Sequence, residues 1–226
     1  MDRLFDIELK ELRDKLIYMS QIGEKMIDLS LRGLVERDKE LAHQVFECEQ
    51  EVNKMHIEVD ELCIRLLALR QPIAADLRLI TAAMKINSEL ERIGDQSVNI
   101  SENTAIYLEH PPLKPLIDIP RMVEITKEMV IDSITAFVNE DVGLARSVLK
   151  RDDDVDNLNH QIFRELLTYM LSDATTIHRA LCLILISRNI ERIADHATNI
   201  CEDVVFMTLG KDIRHHMEKH CNEIGL

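Results

Sequence analysis

Apolar residues recur every three to four positions along most of the chain, a spacing that predicts six long amphipathic helices at roughly 4–36, 39–70, 73–108, 121–139, 142–171 and 174–208. The interruptions have local causes. Asp38 and Asp141 suit N-caps, Pro72 suits a first helical turn, Asp173 can cap the sixth helix, and Gly210 can end it. Pro111, Pro112, Pro115 and Pro120 crowd into one stretch that no helix can cross, because each removes an amide donor and restricts the residue before it. The expected organisation is therefore a bundle over 1–110, a proline-rich linker over 111–120, a second bundle over 121–209 and a tail over 210–226.

The two halves are copies. ELERIGDQSVNISE (89–102) aligns without a gap on NIERIADHATNICE (189–202), sharing Glu91, Arg92, Ile93, Asp95, Asn99, Ile100 and Glu102 with the residues one hundred positions on. Earlier, DKELAHQVFECEQEVNKM resembles DVGLARSVLKRDDDVDNL, and Glu24/Asp28 match Glu128/Asp132. A duplicated three-helix unit explains this, and the fold expected is all-α, a tandem repeat of two three-helix bundles. Composition agrees. With 6 Gly, 5 Pro and no Trp in 226 residues, a sandwich or barrel lacks both its turns and its aromatic strands.

Charge narrows the partners. A formal charge of −14 repels phosphate backbones and acidic headgroups alike, so nucleic acid is excluded as the expected partner. The longest apolar run, 180–186, is far too short to cross a bilayer, and the N-terminal segment lacks an apolar export core. Cys48, Cys63, Cys182, Cys201 and Cys221 show no C-x-x-C spacing and read as reduced, mostly buried thiols. A soluble, unexported, cytoplasmic protein is the expectation.

Five of the seven shared positions in the third and sixth helices are polar. Packing holds core residues after duplication, whereas solvated ones drift, so matched polar residues require a reason of their own. With Glu91 at zero on a helical wheel, Asp95, Asn99 and Glu102 fall within about 80°, while Ile86, Leu90, Ile93 and Ile100 fall roughly at 180–260°. The stripe is thus expected to face water, with Glu191, Asp195 and Asn199 doing the same in the second copy. E-x-x-x-D recurs as Glu24/Asp28 and Glu128/Asp132, and related pairs are Asp152/Asp156 and the weaker His56/Asp60. Two carboxylates at i, i+4 destabilise an isolated helix by roughly 0.2–0.5 kcal/mol, so a repeated set invites a cation. Oxygen donors suit hard or borderline ions such as Mg²⁺, Mn²⁺, Ca²⁺ or iron.

The plain alternative is a solvated acidic face, neutralised in part by Arg92 and Arg192, or a face that docks a partner. His196 can join the site or remain a surface histidine; His215, His216, His220 and Cys221 can gather an ion in the tail or stay solvated. The methionines at helical spacing read as core filling. No nucleophile–base pair, phosphate loop or G-x-S-x-G elbow is visible, so a non-enzyme is expected. A carboxylate-bridged metal enzyme is the catalytic alternative, and a purely structural helical scaffold is the other.

QPIAADLRLI (71–80), ELERIGD (89–95), LLTYML (166–171), IERIADHATNICE (190–202) and GKDIRHH (210–216) together resemble the PhoU family of bacterial phosphate-uptake regulators, over nearly the whole chain. The resemblance implies a cytosolic, non-enzymatic adaptor working with the Pst phosphate transporter, its ATPase subunit and a phosphate-sensing histidine kinase, and holding the phosphate-starvation response off. It also implies a homodimer, peripheral to the membrane only through its partners. Metal ions, Mg, Mn, Fe or Zn, are implied on the E/D-x-x-x-D pairs, which carries over to Glu91/Asp95 and Glu191/Asp195, and by position to Glu24/Asp28, Glu128/Asp132 and Asp152/Asp156. Asn53 and His56 stand where acids are often found in the first copy, so its ligand set is expected to differ from that of the second.

Overall fold

A computed structural model describes residues 3–213, and its secondary structure is six helices with one short 3-10 turn. They are α1 (Arg3–Val35), α2 (Lys39–Arg70), α3 (Ala74–Tyr107), α4 (Asp118–Asn139), α5 (Val142–Ser172) and α6 (Ile177–Leu209). The fold is the all-α tandem repeat that the periodicity predicts, with α1–α3 forming one bundle and α4–α6 the other. No described helix is long and apolar enough to cross a membrane.

The caps act where the sequence places them. Asp38 accepts from the Glu40 amide at 2.8 Å and Asp141 from the Leu144 amide at 3.0 Å, satisfying donors that the first helical turn leaves free. Asp173 accepts from the Thr175 amide at 2.9 Å, opening the 3-10 turn Ala174–Thr176 rather than α6 itself. Gly210 adopts φ 66° and closes α6. Two boundaries depart from expectation. Pro72 lies before α3, which starts at Ala74, and α4 begins at Asp118, taking Pro120 into its first turn, where a missing amide costs nothing.

Each bundle closes over apolar stripes. Leu12, Leu16, Met26, Val59, Leu66, Ile80, Ile86 and Ile93 are buried in the first; Met129, Phe137, Val148, Ile162, Leu166, Ile186 and Ile193 are buried in the second. Cys48, Cys63, Cys182 and Cys201 are free and buried, and burial pushes Cys63 and Cys201 up to about 12. Gly33 permits the tight corner between α1 and α2: a Cβ there would come within 3.0 Å of the Ala42 amide nitrogen.

The first part of the linker is tied to both bundles. The Tyr107 hydroxyl accepts from the Leu113 amide at 3.0 Å, buried Lys114 pairs with Glu165, and Arg37, in the left-handed region at φ 58°, donates to the carbonyls of Leu108 and His110 at 3.3 and 2.6 Å. The bundles pack through α3 against α6 and through α1 against α4. Along the first seam Arg78 donates to the Met207 carbonyl, Lys85 to Asp203, and Glu89 accepts from His196 and Asn199. Numbers rise on α3 as they fall on α6, so the helices run antiparallel. Their register centres near Ile93 and Ile193, equivalent residues of the two copies, which gives the pair of bundles an approximate twofold relation.

Candidate cation-binding sites

Carboxylates of the second copy gather on the outer side of the α5–α6 hairpin. Asp152 and Asp156 stand one turn apart on α5, Glu191 and Asp195 one turn apart on α6, and the Ser187 hydroxyl joins the helices through Asn159 at 2.9 Å just above them. The four repel one another. Loss of hydration, then Asp195, Asp156, Asp153 and Glu191, pushes Asp152 up to about 7. Desolvation followed by Asp195 and Asp156 raises Glu191, though Arg188 and Arg192 pull it down; desolvation and Asp156 raise Asp195. The Asp152 Oδ1 is buried and accepts no hydrogen bond among the described residues. A buried carboxylate oxygen without a donor is a place for a proton or a cation.

In the first copy Glu91 and Asp95 stand on α3, half-buried. Desolvation and then Asp95 raise Glu91, while His56, Arg92 and His196 lower it. Asp60 does not join them in the manner of Asp152 and Asp156. The Asn87 side chain donates to Asp60 Oδ1 at 3.0 Å and to the His56 carbonyl at 2.9 Å, clasping α2 to α3. Its counterpart in the second copy is the Ser187–Asn159 contact, because Asn87 aligns with Ser187 and His56 with Asn159, whereas Asp152 and Asp156 align with Glu49 and Asn53.

The remaining pairs are already neutralised. Lys127 of α4 crosses between the bundles to Asp28 at 2.8 Å and Glu24 at 3.9 Å, and the Asp28 carboxylate raises its ammonium. Arg151 of α5 pairs with Asp132 and lies 3.7 Å from Glu128. Asn199 turns to Glu89 at 3.1 Å, and the Asn99 carbonyl accepts from the Asn103 side chain at 2.7 Å. His196 lies 2.7 Å from Glu89 and joins the bundles. Burial pushes Glu89 up, but hydrogen bonds from His196 and Asn199 outweigh it and hold the carboxyl below its ordinary value. The expected stripe is therefore outside the core but not freely solvated: Glu91, Asp95, Asn99 and Glu191 are half-buried, with Asp195 and Asn199 exposed. Among the described residues no three His, Cys, Asp or Glu side chains are already gathered round one point for an ion. His215, His216, His220 and Cys221 lie outside the described residues.

Lys127, Arg151 and Glu89 escape a reading of spacing alone. Their partners are set by how helices meet, and only the identity of the duplicated frame hinted at them: Lys127 aligns with Gly23, Arg151 with Cys48 and Glu89 with Asn189, unlike residues amid matched neighbours.

A duplicated three-helix unit carrying E-R-I-x-D on its third helix defines a class of twin-bundle proteins with acidic helix faces. The PhoU domain matches residues 16–104 and 119–204, and the chain belongs to the PhoU family. It is 41% identical over 218 residues to the phosphate-specific transport system accessory protein PhoU homolog of Aquifex aeolicus, covering 96% of this chain and 97% of that one. The crystal structure of PhoU from Pseudomonas aeruginosa superposes with a TM-score of 0.88 at 36% identity, covering 92% of this chain and 100% of that one. The phosphate transport system regulatory protein PhoU from Streptococcus pneumoniae gives 0.84 at 27% identity, covering 92% and 98%.

Proposed function

We propose that this chain regulates phosphate uptake as a non-enzymatic, cytoplasmic accessory protein of a phosphate transport system. It works as a metal-responsive adaptor between the Pst transporter ATPase and a phosphate-sensing histidine kinase, and holds the phosphate-starvation response off. Support for the transport role comes from relatives across 91–96% of the chain that are named accessory proteins of phosphate-specific transport. Two bundles joined through the α3–α6 and α1–α4 seams present wide helical faces, which suits relay between proteins.

The observation that carries the metal part is Asp152. Its buried, unpartnered Oδ1 and a carboxyl pushed up to about 7 by lost hydration and four neighbouring acids make the α5–α6 cluster the best-fitting place for a divalent cation. Asp152, Asp156, Glu191 and Asp195 would hold the ion, and bound charge would relieve their repulsion and tighten α5 against α6. Glu91 and Asp95 form the weaker first-copy site. The donors of α1 and α4 fit an ion poorly, since Lys127 and Arg151 already fill that role, and this favours a structural reading for those two pairs.

Two experiments decide. Calorimetric titration of metal-free protein with Mn²⁺ and Mg²⁺ should show binding that Asp152→Asn/Asp195→Asn weakens about tenfold or more. Pull-down with the transporter ATPase and the kinase should weaken in Asp95→Ala/Asp195→Ala; unaltered capture and unaltered regulation in that variant would remove the acidic faces from the function.

A further inference from the structure

Beyond the acidic cluster, the same hairpin face turns apolar. Phe163, Leu167 and Leu171 follow one another at i, i+4 and i+8 on α5, and Ile177, Leu181 and Leu185 do so on α6; each is between 39 and 81% exposed. Asp173 and the 3-10 turn Ala174–Thr176 join the helices, and each stripe runs about 12 Å along its helix, with Leu185 on the side nearer α3. Single exposed leucines are ordinary, whereas six exposed apolar side chains at successive helical spacings on one hairpin are a feature of interaction surfaces.

The duplication supplies an internal control. At the equivalent positions the first copy has Asp60, Ile64, Ala68, Leu77, Thr81 and Lys85, so three of its six are polar, and Lys85 is spent on Asp203 at 2.8 Å. Ile64 and Leu77 are exposed there too, beside Leu69 and Ile73, but Asp60, Thr81 and Lys85 break the run; the unbroken stripe of six apolar residues belongs to the second copy.

Charge selects the occupant. On a wheel, the stripe residues of α6 and the acids Glu191 and Asp195 share an arc of about 120°, and those of α5 share a similar arc with Asp152 and Asp156. Glu191 and Asp195 lie about 9 and 15 Å beyond Leu185, and Asp156 and Asp152 about 10 and 16 Å from Phe163, at 1.5 Å per residue. We propose that this face docks one amphipathic helix of a partner protein, apolar over about two turns and carrying Lys or Arg two to three turns further along. Such a helix would lie in the open groove between α5 and α6, as the fourth member of a bundle whose other groove α4 fills. A second copy offering the same face would bring its own four carboxylates to the contact, and an acidic lipid surface would meet them too; both are disfavoured by charge. The inference gives the adaptor reading a partner of defined chemistry.

The test uses the full chain in EDTA, so that it stands or falls apart from metal binding. A fluorescein-labelled, designed 18-residue helical peptide, with Leu at i, i+4 and i+8 in its first half and Arg at one-turn spacing in its second, is titrated by anisotropy. Binding is expected, with about tenfold or greater weakening by Leu167→Ser/Leu181→Ser and a lower salt dependence in Asp156→Asn. A peptide with Glu in place of Arg should not bind. Both variants alter exposed or half-buried positions, and unchanged helicity with a cooperative melt no lower than wild type verifies their folding. No binding of the Arg peptide, equal binding to wild type and the double serine variant, or equal binding of the Glu peptide would overturn the proposal. So would a dimer by sedimentation that Leu167→Ser/Leu181→Ser converts to monomer, since the face would then belong to a second copy.

Discussion

Asp152→Asn should stabilise the metal-free protein at alkaline pH. In the folded chain the carboxyl titrates at about 7, against an ordinary value of 3.8. A folded-state value above the unfolded one means that the folded state binds the extra proton, so this group's contribution to stability is full below about pH 4, falls as pH rises through the window to 7, and is lost above it. At 1.36 kcal/mol per unit, the full shift corresponds to roughly 4 kcal/mol, and solvent screening at this half-buried site reduces that to about 1–2 kcal/mol. Asparagine keeps the shape and removes the charge. In EDTA at pH 8 the variant should therefore melt about 3–6 °C above wild type, and the gap should close by pH 4–5. Adding Mn²⁺ at pH 8 should raise the wild type more than the variant. Equal melting temperatures at pH 8, or a gap that persists unchanged at pH 4–5, would refute the reasoning that Asp152 is a repelled, poorly solvated anion.

Other outcomes test the frame. Lys127→Ala leaves Asp28 and Glu24 without their cation across the α1–α4 seam and should cost about 1 kcal/mol, a loss that shrinks in 1 M NaCl, read by urea denaturation. Tyr107→Phe strands the Leu113 amide and should cost about 1–2 kcal/mol by the same measurement, with helicity unchanged. Cys48, Cys63, Cys182 and Cys201 should resist iodoacetamide in the native protein at pH 8 and react together on unfolding, scored by mass spectrometry of peptides; rapid native labelling of Cys201, pushed up to about 12, would contradict its burial.

The helices were legible because their signals are local. Asp38, Asp141 and Gly210 act within one turn of where they stand, and period alone separates Ile93 from Glu91. Pro72 misled because its fixed φ suits a first turn, yet the extended backbone of Ile73 follows before α3 begins. The acid pairs were legible as pairs, but their fate was not. Spacing along α1 cannot reveal that a lysine 99 positions away reaches Asp28, and spacing along α2 cannot distinguish a ligand from the clasp that Asn87 makes with Asp60. A wheel also divides a helix into core and water, and so has no category for a face turned toward a second bundle, where Asn199 and His196 meet Glu89.

The antiparallel seam carries a historical corollary. An ancestor with a single repeat could have paired with itself in this register, but every contact would then occur twice with identical residues. The present crossings do not: Glu89–His196 mirrors Asn189 and Gln96, Lys85–Asp203 mirrors Leu185 and Asn103, and Lys127–Asp28 mirrors Gly23 and Asp132. Joining the units into one polypeptide released each side from serving as its own complement. Donor and acceptor, cation and anion, could then be shared out unequally between the two halves.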